Sequence, residues 1–194
     1  MNQRIIGITG GIATGKTTVS DYLHRNYQLP ILDADIYARQ ALSDYRLASL
    51  KERYGKLIFN EQGELDRRKL GAIIFESVVE RQWLERLIHP YVKTCLLEQA
   101  SIHAPATVVM VIPLLFEAKM EGLVTEIWAI ACDHQQQLHR LVTRNHLTIP
   151  EAEQRIASQM ALSEKMELAD VVIFNSGNLD DLFHQIDQAL QPLT

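Results

Sequence analysis

The sequence predicts an α/β fold in which helices flank a parallel sheet. Three observations along the 194 residues support this class. Five short apolar runs alternate with helical patterns, as expected when helical crossovers join parallel strands. A glycine-rich segment separates the first apolar run from the first helical pattern. Two long intervals between apolar runs contain only helical patterns, which predicts one large domain with helical insertions.

The apolar runs predict five strands. Their residue ranges are 4–10, 29–35, 106–113, 125–132 and 169–176. The third run is almost continuously apolar, which is typical of a strand buried on both faces of a parallel sheet. Pro30 lies near the beginning of the second run, where the missing N–H does least harm.

Helical patterns fill the intervals between these strands. Residues 16–26 place Val19, Tyr22 and Leu23 on one face. The interval from Ile36 to about Ser101 is predicted to be helical throughout, with breaks at Gly55, Gly63 and Pro90. The remaining predicted helices span 134–145, 151–160, 163–169 and 179–190.

Composition excludes several classes of protein. The formal net charge of −5 argues against general nucleic-acid binding. No apolar run approaches the ~20 residues of a membrane span, and the N-terminal residues lack the pattern of a signal peptide. Cys95 and Cys132 have no metal or redox spacing, so we expect buried thiols in a reducing compartment, the cytoplasm. The histidines show no metal-binding spacing.

Charge is unevenly distributed along the chain. Residues 36–100 contain 11 Lys and Arg against 9 Asp and Glu, whereas the rest of the chain is acidic. A mildly basic middle segment suits an anionic substrate. A solvated helical surface with paired charges is the alternative.

The glycine-rich segment matches a phosphate-binding motif. Residues 10–17 read Gly-Gly-Ile-Ala-Thr-Gly-Lys-Thr, which fits G-x-x-x-x-G-K-[ST] between a predicted strand and a predicted helix. Glycines allow turns that direct backbone N–H groups inward, and the helix N-terminus adds further donors. Lys16 can reach the β- and γ-phosphates of a nucleotide, and the Thr17 hydroxyl can bind Mg²⁺.

Other acidic and basic residues narrow the class. The third strand lacks the terminal aspartate of switch GTPases, and no N-K-x-D motif is present. Asp33 and Asp35 follow the second strand instead. We expect only one of the two carboxylates to face the phosphate loop, as a base, and the other to cap the helix that follows. Since neighbouring parallel strands end at one rim, we expect the second strand to end beside that loop, with Asp33 the stronger candidate.

A basic segment follows the fourth strand. Arg140 and Arg144 share a helix face, and Arg155 and Lys165 come later. Arginines that close on phosphates stabilise a transferring phosphoryl group. A solvated helix with ordinary charges is the alternative.

Taken together, these motifs resemble the dephospho-coenzyme A kinase family over nearly the whole chain. The matching stretches are GITGGIATGKTTV (7–19), ILDADIYAR (31–39), LDRRKLGAIIF (65–75), LERLIHP (84–90), PLLFE (113–117), RLVTRN (140–145), RIASQM (155–160) and EKMELADVVIFNSG (164–177). The phosphate loop alone indicates only the superfamily, whereas this set in this order is specific.

The resemblance implies a P-loop nucleotide-kinase-like core with a five-stranded parallel sheet, a helical coenzyme A insertion and a helical lid. The implied boundaries are 1–35, 106–133 and 169–194 for the core, 36–105 for the substrate domain and 134–168 for the lid. It also implies transfer of the ATP γ-phosphoryl to the ribose 3′-hydroxyl of dephospho-CoA, with Mg²⁺. We expect a monomer without nucleic-acid or membrane partners.

Specific roles follow from the resemblance. Asp33, Lys16, Arg140 and Arg144 are the implied catalytic residues, and Thr17 is the implied metal ligand. The implied ATP-binding residues are Gly10, Gly11, Ile12, Ala13, Thr14, Gly15, Lys16, Thr17, Thr18 and Asn175, the last near adenine. The implied substrate-binding residues are Asp33, Asp35, Arg67, His89 and Phe116.

Some features depart from the family or have plainer explanations. Ala13 stands where the family more often has glycine, which requires a negative φ at this residue. Ile112 stands where an aspartate is common. His89-Pro90 can simply end a helix, PLLFE can be core after a strand, and Asn175 can be a turn former.

Two other functions remain open at this level. One is a kinase of the same fold that acts on a nucleoside monophosphate or shikimate, although the long insertion favours a large acceptor. The other is a nucleotide-binding switch, which would release ADP slowly with or without an acceptor.

Overall fold

The computed structural model describes residues 3–43 and 46–191, which form two compact units. The sheet unit comprises the described residues up to Ala34 and from Leu96 onward. The helical unit comprises the described residues from Asp35 to Cys95.

The sheet unit is built on five parallel strands, as the sequence predicts. They are β1 (Ile5–Gly10), β2 (Ile31–Asp33), β3 (Val108–Val111), β4 (Glu126–Ala131) and β5 (Val171–Phe174). Their order is β2-β3-β1-β4-β5, so β1 lies between β3 and β4. The chain continues from β1 towards one side of the sheet and from β3 towards the other. Such a reversal places a ligand-binding crevice at the carboxyl end of the central strand.

The helices follow the predicted intervals closely. They are α1 (Lys16–Tyr27), α2 (Ala34–Ala41), α3 (Arg46–Tyr54), α4 (Arg67–Glu76), α5 (Val78–Ile102), α6 (His134–Asn145), α7 (Ile149–Ala157), α8 (Leu162–Glu167) and α9 (Leu179–Leu190). Gly55 and Gly63 have positive φ and lie outside helices, which confirms the breaks predicted there.

The predicted break at Pro90 is wrong. Pro90 lies inside α5, which continues for twelve further residues. A proline in a helix interior costs about 3 kcal/mol because it removes one hydrogen bond and crowds the preceding turn. Both halves of α5 bury apolar side chains, including Leu84 before the proline and Val92 after it. This packing outweighs the local penalty.

One face of the sheet carries the core of the sheet unit. Ile6, Ile8, Trp128 and Ile130 project from the strands towards α1 and α9 and are fully buried. The helices contribute Val19 and Leu23 from α1 and Leu182 and Ile186 from α9. The predicted apolar face of α1 is therefore confirmed, and Tyr22 at its edge stacks on Phe183 with ring centroids 4.1 Å apart.

The helical unit has its own apolar cluster. Leu50, Ile58, Leu70 and Leu84 are buried together, with partly buried neighbours such as Trp83 around them. Asp66 caps α4 by accepting hydrogen bonds from the backbone N–H groups of Arg68 and Lys69. This cap fixes the start of the helix that delivers Leu70 to the cluster.

Candidate functional site

The glycine-rich loop joins β1 to α1 at the carboxyl end of the central strand. Gly10 has φ +141° and Gly15 has φ +104°, both in the region that favours glycine. A Cβ on Gly10 would collide with the carbonyl oxygen of Ile130, and one on Gly15 would collide with the side-chain amide of Asn175. Both positions therefore require glycine for conformation and for space.

The backbone conformation of Ala13 differs from the one that its side chain predicts. A side chain at this position predicts a negative φ, whereas the residue has φ +60°. Left-handed backbone places Cβ close to the following carbonyl and costs a non-glycine residue roughly 1–2 kcal/mol. The loop therefore keeps a shape suited to glycine, and contacts from outside Ala13 must stabilise it.

Lys16 is the first residue of α1, and its side chain folds over the loop. Its Nζ donates to the carbonyl oxygen of Gly11 at 2.7 Å and to that of Gly10 at 3.0 Å. The buried Thr14 hydroxyl donates to the same Gly11 oxygen at 3.0 Å. Thr17 is exposed and Thr18 half-buried in the first turn of the helix. Backbone N–H groups, a helix N-terminus and an ammonium group together make an anion-binding cradle.

Asn175 connects the end of β5 to this loop. The residue is 7% exposed, and its Nδ2 donates to the carbonyl oxygen of Thr14 at 2.8 Å. Its own carbonyl oxygen accepts from Nη2 of Arg140 at 2.9 Å. Asn175 therefore holds the loop and the guanidinium group on its two sides. Its predicted proximity to adenine stays a prediction.

The two arginines of α6 differ in environment. Arg140 is half-buried, and its Nη2 also donates to Oε1 of Gln136 at 3.0 Å. Arg144, one turn later, is exposed and donates from Nε to the side chain of Asn145 at 2.9 Å. Only the first is linked to the phosphate loop by the bonds described above. Arg155, on α7, is half-buried.

Asp33 is the last residue of β2, and Asp35 lies in the first turn of α2. The expectation that β2 lies next to β1 is wrong, because β3 lies between them. Asp33 pairs in register with Val111 of β3. All five strands nevertheless run in parallel, so Asp33 ends its strand at the same edge of the sheet as the loop. Asp33 is half-buried, whereas Asp35 is exposed.

The remaining predicted substrate residues lie in different surroundings. Arg67 is exposed at the start of α4 and donates to the carbonyl oxygen of Arg39 at 3.3 Å. His89 lies inside α5, where burial lowers its pKa and the Glu85 carboxylate opposes the shift. Phe116 follows β3 and is only 8% exposed. Their substrate roles stay predictions.

Two glutamines bind the loop backbone, and sequence reasoning missed both. Gln137 of α6 donates from Nε2 to the carbonyl oxygen of Ile12 at 2.9 Å. Gln159, after α7, accepts from the N–H of Ile12 through Oε1 at 2.9 Å. Gln137 shares the buried face of α6 with Leu141, four residues later, and that spacing is the one sequence signal that could have found it.

A buried ion pair anchors the segment that carries Gln159. Lys165, which is fully buried, forms an ion pair with Glu117 at 2.8 Å and donates to the carbonyl oxygen of Pro113 at 2.9 Å. Glu117 also accepts from the N–H of Met160 at 3.0 Å. The Thr9 hydroxyl donates to the same Pro113 oxygen at 3.2 Å. Lys165 is therefore held in the interior of the unit.

The two cysteines are free thiols in different environments. Cys132 is buried, as expected, and burial raises its pKa although the nearby Arg140 opposes the shift. Cys95 is only half-buried, which corrects the expectation for that residue. Across residues 3–43 and 46–191, no cluster of His, Cys, Asp and Glu side chains is arranged to hold a metal ion.

Fold and loop together define a class. A parallel sheet with this strand order, and a glycine loop that leads into a helix starting with lysine and threonine, characterise the P-loop kinases. The particular family follows from comparison with known proteins. The family model described as dephospho-CoA kinase matches residues 4–181, and the chain belongs to this family.

Individual relatives agree with this assignment. The dephospho-CoA kinase of Trichormus variabilis is 54% identical over 192 residues, which cover 98% of each chain. Among solved structures, TT1252 from Thermus thermophilus superposes with a TM-score of 0.86 at 34% identity, covering both chains fully. The dephospho-CoA kinase of Campylobacter jejuni gives a TM-score of 0.70 at 26% identity, covering 96% of this chain and 95% of the other.

Proposed function

We propose that this chain transfers the γ-phosphoryl group of ATP to the ribose 3′-hydroxyl of dephospho-CoA, giving CoA and ADP. The observation that carries the proposal is a complete phosphate loop at the carboxyl end of β1, in a chain that matches the family over residues 4–181. The reaction needs a polyphosphate cradle and a positioned hydroxyl, and little covalent chemistry from the protein.

The phosphate loop and Lys16 act on the donor in this proposal. Residues 10–18 and the N-terminus of α1 bind the phosphates through backbone N–H groups, apart from those of Ile12 and Thr14, which donate to Gln159 and to the Gly11 carbonyl. The Lys16 ammonium, which contacts the carbonyls of Gly10 and Gly11, exchanges them for the β- and γ-phosphate oxygens. Its charge then stabilises the negative charge that moves to the leaving ADP.

Asp33 is the proposed base, with Asp35 the weaker candidate. Its position at the end of β2 puts a carboxylate at the rim shared by all parallel strands. A carboxylate there orients the acceptor hydroxyl and receives its proton during transfer. Asp35 belongs to α2, where a carboxylate in the first turn interacts favourably with the helix dipole.

The arginines of α6 are proposed to stabilise the transferring group, each in a different way. Arg140 acts from a fixed position because Asn175 and Gln136 hold it. Arg144 is exposed, so its side chain is free to turn towards phosphate oxygens when the nucleotide binds. A guanidinium fork binds phosphate through two parallel hydrogen bonds.

Mg²⁺ fits the residues present. Mg²⁺ bound to nucleotides keeps several waters and takes few protein ligands, mainly oxygen. The exposed Thr17 hydroxyl in the first turn of α1 supplies such an oxygen. When bound, the ion neutralises charge on the β- and γ-phosphates. Thr17 is the residue proposed to hold it.

The finer assignments are also proposals. Within residues 36–105, Arg67 and His89 are proposed to bind dephospho-CoA. Phe116, in the segment after β3, is a further proposed substrate-binding residue. The excess of basic residues in 36–100 supports binding of an anionic molecule. We propose action in the cytoplasm as a monomer without nucleic-acid partners, supported by two free thiols and an acidic net charge. No described helix is long and apolar enough to cross a membrane.

An acceptor panel tests the reaction. With ATP and Mg²⁺, ADP release is measured with dephospho-CoA, adenosine, adenosine monophosphate, phosphopantetheine or shikimate, and the CoA formed is identified by mass. We expect fast ADP release with dephospho-CoA and with none of the other acceptors. Equal use of adenosine would refute the coenzyme A assignment, and ADP release independent of any acceptor would favour a nucleotide switch.

A further inference from the structure

The peptide group between Ile12 and Ala13 carries one of the N–H donors of the phosphate loop. In a trans peptide the C=O and N–H point in opposite directions. The carbonyl end of this group accepts from Nε2 of Gln137 at 2.9 Å. The Ala13 N–H therefore points away from Gln137, and the hydrogen bond sets its direction.

This peptide group is held in an orientation that its own residue disfavours. Ala13 has φ +60°, which is disfavoured for any residue with a Cβ. Rotation of the Ile12–Ala13 peptide plane by half a turn would bring φ of Ala13 into the ordinary negative range. The same rotation would reverse the Ala13 N–H and break the bond from Gln137, so Gln137 opposes it.

The surroundings of Gln137 make this opposition effective. The residue is 3% exposed, so loss of its bond would leave a buried amide and a carbonyl unsatisfied. The preceding peptide group is held as well, because Gln159 accepts from the Ile12 N–H at 2.9 Å. The Gly11 carbonyl at the other end of that group accepts from Lys16 and Thr14. Two successive planes are thus held from outside the loop.

We propose that Gln137 is a positioning residue for phosphoryl transfer: it keeps the Ala13 N–H directed at the nucleotide phosphates despite the left-handed backbone. Gln159, seated by the Lys165–Glu117 ion pair, supports the neighbouring plane. The inference deepens the proposed function and rests on it only for the identity of the phosphate donor. It also explains how alanine is accommodated at a position shaped for glycine.

A double-mutant cycle tests the proposal. Gln137→Met preserves side-chain length but removes the donor, and it is made in the natural chain and in Ala13→Gly. We expect Gln137→Met to raise the dissociation constant of ATP about 10-fold in the natural chain, a change the size of one buried hydrogen bond. In Ala13→Gly the same substitution should raise it by less than about 3-fold, because glycine adopts the required φ without help.

Controls separate positioning from a structural role. Gln135→Met changes an exposed residue of the same helix and should leave ATP binding unaltered. Gln137→Glu keeps the shape but places a carboxylate against the Ile12 carbonyl, and it serves if Gln137→Met fails to fold. It should weaken ATP binding at least as much, with the same relief in Ala13→Gly. Melting temperatures of all variants are measured alongside.

The outcomes are distinct. Unchanged ATP binding in Gln137→Met, or an equal loss in the natural chain and in Ala13→Gly, would overturn the positioning role. ATP binding is measured by calorimetry without any acceptor, so the result does not depend on dephospho-CoA turnover. A natural chain that binds ATP but does not phosphorylate dephospho-CoA would refute the proposed function and leave this test intact.

Discussion

The sheet unit and the helical unit each have an apolar core, but they differ in what their buried polar residues do. In the sheet unit, the buried polar residues Gln137, Lys165 and Asn175 make hydrogen bonds that end on the phosphate loop or on the segments beside it. In the helical unit, the core is a cluster of leucines and isoleucines, and the Arg53–Glu80 ion pair lies near the surface. Arg46 is buried there too, with its guanidinium 4.4 Å from the Tyr91 ring centroid.

The buried hydrogen bonds around the phosphate loop mainly fix the orientation of groups, whereas the apolar cluster of the helical unit mainly contributes stability. A buried hydrogen bond adds little net free energy but strongly penalises the wrong geometry, because an unpaired buried group is costly. Apolar burial stabilises without fixing direction. Substitutions in the loop network should therefore change activity more than melting temperature, and substitutions in the leucine cluster should do the reverse.

The greatest loss of activity is expected when Lys16 is replaced. Lys16→Ala should lower kcat about 1,000-fold, or about 4 kcal/mol of transition-state stabilisation, because it removes a cation next to the transferring group. The melting temperature should stay close to that of the natural chain, since the side chain covers a surface cradle. Lys93→Ala, at an exposed position of α5, is the control. A variant that keeps more than about a tenth of kcat would contradict the role of Lys16.

Asp33→Asn should slow phosphoryl transfer by about 100-fold or more while ATP and dephospho-CoA still bind. The amide keeps the size of the carboxylate but cannot receive the proton. Single-turnover rates and equilibrium titrations measure the two quantities separately. Asp35→Asn is the matched comparison: a larger loss there than at Asp33 would transfer the base to Asp35.

Leu50→Ala tests the helical unit. The side chain is fully buried in the apolar cluster, so the free energy of unfolding should fall by about 2–5 kcal/mol. ATP affinity should change little, because the phosphate loop belongs to the other unit. Leu57→Ala, at a leucine that is 65% exposed, should be nearly neutral. Chemical denaturation with calorimetric ATP titration decides whether the contrast between the units holds.

The two arginines of α6 are expected to respond differently to substitution by lysine. Lysine keeps the charge but loses the fork geometry. Arg140→Lys should lower both kcat and melting temperature, because Arg140 bonds Asn175 and Gln136. Arg144→Lys should lower kcat by about 10-fold without changing the melting temperature, because one charge-assisted hydrogen bond is lost. Unchanged kinetics in both variants would return α6 to an ordinary solvated helix.

The smallest expected effect concerns pH and Glu80. The Arg53 guanidinium and the Tyr54 hydroxyl lower the pKa of Glu80 from 4.5 to about 2. Because the folded pKa is the lower one, the stabilisation is complete above about pH 4.5 and disappears as the pH falls towards 2. Glu80→Gln should lower the melting temperature by a few degrees at pH 7, and the difference should shrink below pH 4.5. Glu52→Gln, an exposed carboxylate on α3, should show no such convergence.

Much of the fold was predictable because it depends on local patterns. Continuous apolar runs gave the five strands, and the glycine loop was recognisable from residue types alone. The order of the strands was not, since pairing of β2 with β3 depends on contacts 78 residues apart, such as Ile31 with Val109. Pro90 misled because local helix propensity was outweighed by packing along α5.

The candidate site was predictable where chemistry is carried by charge and glycine. Lys16, Asp33 and Arg140 stand out by residue type and spacing. Gln137 and Gln159 do not: apart from the spacing of Gln137 to Leu141 nothing in the sequence marks these uncharged amides, and their partner is a backbone group far along the chain. The positive φ of Ala13 was hidden for the same reason: tertiary hydrogen bonds override the preference of the residue itself.

The central place of β1 has a consequence for synthesis of the chain on the ribosome. Ile5 pairs with Val108, and Ile6 pairs with Glu126, so the first strand meets its two neighbours only after more than a hundred further residues have been made. Contacts this distant in sequence form slowly. Until then both edges of the nascent strand, which carries the apolar residues Ile6 and Ile8, stay unpaired. Such a segment is a target for chaperones that protect nascent chains from aggregation.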